Sequence, residues 1–131
     1  MNALKDQGLF QQQGFIAGKW LNAASGKTVD VIDPATQSVL GTVPDMSGNE
    51  THAAIDAAAK AFAPWKAKTH AERAALLEKW YALMIEHEDD LALLLTMEQG
   101  KPLAEGKGEI RYGASFVKWF AEEARRINGH T

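Results

Sequence analysis

The sequence has 131 residues, of which 46% are hydrophobic and 24% charged, and its 14 basic and 17 acidic side chains give a formal net charge of −3. This length and composition indicate a folded globular chain, and the five phenylalanines and four tryptophans argue against a disordered tail. The small net charge gives no reason to expect nucleic acid or an anionic membrane as a partner. Because there is no cysteine, disulfides, thiolate metal sites and a cysteine nucleophile are excluded within these residues.

The amino-terminal residues carry no targeting signature. Residues 1–7 lack the basic region and apolar core of a secretion signal, and the longest uninterrupted apolar run, residues 80–85, is too short to span a bilayer. We therefore expect a cytoplasmic protein that has no membrane partner.

The first third of the chain predicts a flexible arm followed by two β-hairpins. Residues 1–14 are polar and glutamine-rich, with Leu9 and Phe10 as their best anchors. Residues 15–46 form the hairpin region, because Gly18 lies in a two-residue turn between apolar neighbours and a turn sequence separates two further strand-like segments. The second hairpin is expected to end at Pro44.

Residues 47–131 predict a helical region, because the apolar spacing changes there from two residues to about 3.6 residues. Capping boxes at residues 47–50 and 69–72 open the first two helices. The first helix is expected to end at Pro64, since proline cannot donate the helical hydrogen bond. Acidic residues 88–90 open a third helix, which ends at Gly100, and a fourth runs from Pro102 to a stop at residues 128–129.

Two glycines, Gly106 and Gly113, lie on the apolar stripe of the fourth helix. Each costs about 1 kcal/mol of helix propensity relative to alanine. Their placement predicts that another backbone passes close to this stripe. The fold class is therefore α+β and mainly α, with two small hairpins followed by three or four amphipathic helices.

Several polar groups suggest chemistry, but simpler interpretations compete with each. Residues 87–90 carry groups that bind metals, yet consecutive helical side chains diverge, so a solvated helix cap is favoured and no metal site is expected. The other histidines have no partner at ligand spacing, and they are His52, His70 and His130. Glu98, Glu105 and Glu109 either perform acid–base work or pair with Lys101, Lys107 or Arg111, and ion pairing is the more economical interpretation.

Aromatic side chains on the helices are most simply core or interface anchors, and these are Trp65, Trp80, Trp119 and Phe120. Tyr112 and Phe116 lie one helical turn apart and off the glycine stripe. We expect this pair to line a groove shared with a segment outside this chain.

Residues 15–131 resemble the amino-terminal region of NAD(P)-dependent aldehyde dehydrogenases, most closely the succinate-semialdehyde type. The resemblance rests on the order and spacing of short motifs, which include Asp-Pro-Ala-Thr at 33–36, Ala-Lys-Ala-Phe at 59–62 with Trp65, and Glu-Gln-Gly-Lys-Pro at 98–102. It implies a partial aldehyde dehydrogenase fold, in which all of these residues belong to one incomplete domain.

The resemblance also implies a function for the full-length protein, the oxidation of succinate semialdehyde to succinate with NAD or NADP. The family's cysteine nucleophile, glutamate base, oxyanion-binding asparagine and cofactor fold belong to later segments. We therefore expect this chain to contain no catalytic or cofactor-binding residue, to bind no cofactor and to be inactive alone. By resemblance, Tyr112 and Phe116 would line the substrate tunnel.

A different class of function remains open from the sequence. The chain is alternatively a non-catalytic helical module that associates through its apolar helix faces, either with a copy of itself or with the remainder of the enzyme.

Overall fold

The computed structural model describes residues 3–127 and 129 and contains two hairpins followed by four helices. The strands are β1 (Gly14–Ile16), β2 (Lys19–Leu21), β3 (Thr28–Ile32) and β4 (Val39–Pro44). The helices are α1 (Gly48–Ala67), α2 (His70–Glu86), α3 (Glu88–Gln99) and α4 (Leu103–Glu123). The predicted fold class, α+β and mainly α, is confirmed.

Hairpin 1 pairs β1 with β2, and hairpin 2 pairs β3 with β4, both antiparallel. The turn residues of hairpin 1, Ala17 and Gly18, have φ values of 51° and 81°, as the tight two-residue turn requires. Across this hairpin, Phe15 lies opposite Trp20, and their ring centroids are 5.1 Å apart. Hairpin 2 places Thr28 opposite Pro44, so it ends where the sequence predicts.

Both capping boxes form as predicted. The Ser47 side chain accepts a hydrogen bond from the amide of Asn49, while the Glu50 carboxylate accepts from the backbone amide of Ser47 at 2.9 Å. Glu50 also accepts from the amide of Ala24 at 2.8 Å, which ties the start of α1 to the loop after hairpin 1. The hydrogen bonds from the Ser47 hydroxyl and then from Ala24 lower the pKa of Glu50 to about 2.

This lowered pKa predicts a pH dependence of the α1 amino terminus. The carboxylate of Glu50 stabilises the folded chain only while it is ionised, so its contribution is complete above its ordinary pKa of 4.5 and is lost as the pH falls through about 2. We expect the Glu50 carboxyl carbon to titrate in NMR spectra with a midpoint near 2. A midpoint close to 4.5 would show that the capping box is open in solution.

The prediction that α1 ends at Pro64 is wrong, because α1 continues through this proline to Ala67. Pro64 removes one amide from the last turns of the helix, and the carbonyl left without that donor belongs to Lys60, an exposed residue that water can reach. The guanidinium of Arg73 donates to the carbonyl of Lys68 at 2.5 Å, just beyond the helix end. The end of α1 is thus stabilised from α2.

Helices α2, α3 and α4 form a layer in which α4 packs against both of the others. Its buried apolar side chains are alanines: Ala74 on α2, Ala92 on α3, and Ala114 and Ala121 on α4, each 0% exposed. Small side chains let helix axes approach closely. Helix α3 ends at Gly100, which has φ of 77°, and the amide of Gly100 donates to the carbonyl of Thr96 at 2.8 Å.

The close approach predicted for the two glycines of α4 occurs at one of them. A methyl group on buried Gly106 would lie 3.0 Å from the Ala92 carbonyl oxygen, so α3 passes directly over this position. At Gly113 the nearest such contact is the Met84 methyl at 3.9 Å, an ordinary distance. The prediction is therefore confirmed for Gly106 and wrong for Gly113.

Helix α4 ends at Glu123, a few residues before the predicted stop. Beyond it, the guanidinium of Arg125 donates to the Glu78 carboxylate at 2.6 Å, which links the end of α4 to α2. Two residues named in the sequence interpretation, Asn128 and His130, lie outside the described residues.

The segment expected to be a loose arm is docked in the structure. Leu4, not Leu9 or Phe10, is its most buried side chain, at 5% exposed. The amides of Lys5 and Asp6 donate to the carboxylate of Asp90 at 3.0 and 2.8 Å. The sequence could not show this contact, because its partners are about 85 positions apart.

Within the described part of the chain, no helix is both long enough and apolar enough to cross a membrane.

Candidate functional site

The most prominent surface of the chain is a row of exposed aromatic side chains on α4. We call it the α4 aromatic face, and it consists of Tyr112, Phe116, Trp119 and Phe120, which are 67%, 48%, 58% and 60% exposed. Residues three and four positions apart share one side of a helix, so these rings form a continuous row. Soluble monomers rarely expose so much apolar surface without a partner.

The structure brings the two residues proposed for the groove into contact. The rings of Tyr112 and Phe116 meet edge to face, with centroids 4.9 Å apart and planes at 83°. The hydroxyl of Ser115 donates to the carbonyl of Tyr112 at 2.7 Å. The pair therefore forms one apolar wall, while its assignment to a substrate tunnel stays a prediction.

A polar groove runs beside this face, between α2 and α4. It is lined in part by Tyr81, Glu88, Arg111 and Lys118. The Arg111 Nε donates to the Glu88 carboxylate at 2.9 Å, and this bond raises the pKa of Arg111. The Lys118 ammonium lies 5.5 Å from the centroid of the Tyr81 ring, within cation–π distance. Arg111 and Lys118 are therefore each paired with a side chain of this same chain, Arg111 with Glu88 and Lys118 with the Tyr81 ring.

One of the carboxylates considered for acid–base work lies in an ion pair. Glu109 pairs with Lys101, as the simpler interpretation predicts. Lys107 and Arg111 pair instead with acids at the start of α3, Lys107 with Asp89 at 2.6 Å and Arg111 with Glu88. These pairs join α3 to α4, so their role is to orient the two helices.

The acidic run at the start of α3 contains a residue whose role the sequence did not reveal. Asp90 is only 4% exposed, so the interpretation as a solvated cap is wrong for it. Its two backbone donors, the amides of Lys5 and Asp6, lower its pKa. The residues described hold no group of three or more histidine, cysteine or acidic side chains placed to bind a metal.

The helix starts of this chain do not fit the pyrophosphate of a dinucleotide. Such a group binds the free amides at a helix amino terminus. At α1 and α2 the capping boxes already occupy these amides, with Glu50 and Glu72 supplying negative charge. Helices α3 and α4 have no side-chain cap, but acidic residues lie in the first turn of each, three at the start of α3 and Glu105 in α4. Negative charge in the first turn of all four helices therefore disfavours a phosphate group there.

The comparison with known proteins gives this arrangement a context. The sequence profile of the aldehyde dehydrogenase family matches residues 20–131. The chain belongs to the aldehyde dehydrogenase family. It is 59% identical over 128 residues to a glutarate-semialdehyde dehydrogenase of Pseudomonas putida and 57% identical over 128 residues to a succinate-semialdehyde dehydrogenase of the NADP(+) type from Escherichia coli.

Each of these two alignments covers 98% of this chain and 27% of the relative, so the chain spans about a quarter of the length of the relatives. The structure is also similar to the crystal structure of an aldehyde dehydrogenase from Brucella melitensis biovar abortus 2308, with a TM-score of 0.97 and 53% identity. That match covers 100% of this chain and 27% of the other. The two hairpins and four helices are thus the amino-terminal part of the aldehyde dehydrogenase fold, and the family resemblance is confirmed.

Proposed function

We propose that the aldehyde dehydrogenase containing this chain oxidises succinate semialdehyde to succinate with NAD or NADP in the cytoplasm. The observation that carries this proposal is the identity of 59% and 57% to relatives named for glutarate semialdehyde and succinate semialdehyde. Both compounds pair an aldehyde with a carboxylate at the other end of a short chain. The substrate class is therefore a short aldehyde that carries a carboxylate.

The role of this chain in that enzyme is to support and enclose the site. The oxidation of an aldehyde through a covalent intermediate needs a nucleophile, and no cysteine is present here. The nicotinamide cofactor accepts the hydride when bound. Within this chain, Tyr112 and Phe116 supply an apolar wall that we assign to the substrate tunnel, where it orients the aldehyde and excludes water.

The complete product of the gene tests the activity. We expect it to reduce NAD or NADP in the presence of succinate semialdehyde, with a higher kcat/KM than for an aldehyde of equal length without a carboxylate. Reading the gene beyond the codon for Thr131 shows whether the frame continues into the cofactor fold and the nucleophile. A complete enzyme that prefers the uncharged aldehyde would contradict the proposed substrate.

The tunnel assignment predicts a specific effect of replacing Tyr112. In the complete enzyme, Tyr112→Ala is expected to raise the KM for succinate semialdehyde about tenfold with little change in kcat, because it removes apolar contact with bound substrate. Tyr81→Ala is the matched control, since Tyr81 is the other tyrosine of the chain and lies on α2. Equal KM values for both variants and the parent enzyme would remove Tyr112 from the tunnel.

A second candidate function, a non-catalytic association module, is favoured by the exposed apolar helix faces. It requires that the chain act without the catalytic segments. A stop codon directly after Thr131, together with a stable complex between this chain and a full-length subunit, would support the module over the enzyme.

A further inference from the structure

The arm, residues 3–13, is attached at its first end to the junction of α2 and α3. Leu4 is 5% exposed there. The carboxylate of Asp90, in the first turn of α3, accepts hydrogen bonds from two successive backbone amides, those of Lys5 at 3.0 Å and Asp6 at 2.8 Å. A buried carboxylate that accepts from two amides makes stronger hydrogen bonds than a neutral group does.

At its second end the arm contacts hairpin 2. The side-chain oxygen of Gln12 accepts from the backbone amide of Thr42 on β4 at 2.8 Å. The Phe10 ring lies against the neighbouring residue of β4, since a methyl group on Gly41 would come 2.5 Å from Phe10 Cζ. The arm therefore runs from the helical layer to the backbone of β4.

The contacts between hairpin 2 and the helices are sparse elsewhere. The turn of this hairpin meets the end of α3, where a methyl group on Gly100 would lie 2.9 Å from Pro34 Cγ. A two-stranded hairpin is marginal in water unless it packs on another element. Four large apolar residues of hairpin 2 are more than a third exposed, and these are Val29, Ile32, Val39 and Val43.

We propose that the arm is a strap, closed by the Asp90 carboxylate, that holds hairpin 2 against the helical layer. Among the described residues the arm has one buried apolar anchor, Leu4, and the ion pair of Lys5 with Asp89 at 2.7 Å is exposed and therefore weak, so the ordering of the arm depends mainly on the two hydrogen bonds to Asp90. When these bonds are broken, the arm loses its fixed end, and the contacts that it makes with Gly41 and Thr42 weaken with it. The inference goes beyond the proposed enzymatic activity and does not depend on the substrate.

Hydrogen exchange followed by mass spectrometry tests the strap in the complete protein that contains this chain. Each carboxylate oxygen of Asp90 now accepts from one backbone N–H of the arm. In Asp90→Asn the side-chain NH2 group replaces one of these oxygens and cannot accept, so one hydrogen bond is lost. We expect exchange about tenfold faster both in residues 3–13 and in residues 39–44, with α2 and α4 unchanged. Asp89→Asn is the matched control, because it removes the same charge from the same turn of α3 and leaves both amide bonds in place. It also removes the exposed ion pairs of Asp89 with Lys5 of the arm at 2.7 Å and with Lys107 of α4 at 2.6 Å, so it measures what these surface pairs contribute.

The outcomes distinguish an arm that holds hairpin 2 in place from an arm that only binds to the helices. Faster exchange in both segments in Asp90→Asn, but in neither in Asp89→Asn, supports the proposal. Faster exchange in residues 3–13 alone, or in neither segment, overturns it. If Asp90→Asn also loosens α2 and α4, then Leu4→Ala decides, because it weakens the arm without changing α3. Unchanged exchange in residues 39–44 of Leu4→Ala would overturn the strap.

Discussion

Replacing Gly106 with leucine is expected to lower the free energy of unfolding by about 3 kcal/mol, because overpacking a tight contact displaces backbone as well as side chains. A single methyl group at this position would already lie 3.0 Å from the Ala92 carbonyl oxygen and 3.2 Å from the Thr96 hydroxyl. The longer leucine side chain has no room unless α3 moves away from α4. Thermal unfolding followed by circular dichroism in the complete protein measures the loss.

Gly108→Leu is the control for this substitution, because Gly108 lies on the same helix, is exposed, and has no atom within 4 Å of the added methyl position. Leucine is a better helix former than glycine, so this variant is expected to be as stable as the parent or more stable. Equal losses in the two variants would show that the contact with α3 does not determine the effect at Gly106.

Produced by itself, the 131-residue chain is expected to self-associate and to show no aldehyde-dependent reduction of NAD or NADP. No large side chain is fully buried among residues 3–127 and 129, and aromatic rings on α1 and α4 face solvent, such as Phe62 at 63% and Phe120 at 60% exposed. Apolar surface of this extent drives association. Size-exclusion chromatography with light scattering measures the mass, and a spectrophotometric assay measures cofactor reduction.

The double variant Phe116→Glu and Phe120→Glu is expected to increase the fraction of monomer, because it places charge within the α4 aromatic face. Gly108→Glu introduces a glutamate at an exposed position of the same helix outside the α4 aromatic face and is expected to leave association unchanged. A parent chain that stays monomeric at every concentration tested would contradict the role of this surface in association, and robust cofactor reduction would contradict the assignment of catalysis to other segments.

The elements that could be predicted from the sequence are those determined by local chemistry. The capping boxes at Ser47 and Thr69 consist of residues three positions apart, so the pattern alone specifies their hydrogen bonds. The two-residue turn at Gly18 is equally local. Local rules were less reliable at Pro64, because a proline in the last turns of a helix removes one hydrogen bond without ending the helix.

The features that could not be predicted depend on contacts between distant parts of the chain. The acidic run at residues 88–90 was visible, but nothing in the sequence near Asp90 indicates that it binds the amides of Lys5 and Asp6. Likewise, Gly106 and Gly113 both lie on the apolar stripe of α4, so the sequence predicts the same close approach at each. Only the path of α3 distinguishes them. The contact of Tyr112 with Phe116 followed from helical spacing, whereas the tunnel they are proposed to line requires other segments.

The alanines buried between α2, α3 and α4 affect how cooperatively this segment unfolds on heating. The heat capacity change of unfolding is proportional to the apolar area that leaves water on folding. Alanine side chains remove little such area, and they supply all four of the buried apolar positions on these helices. We therefore expect a sharp, cooperative calorimetric transition only when the large side chains at the surface of this segment are covered by further protein.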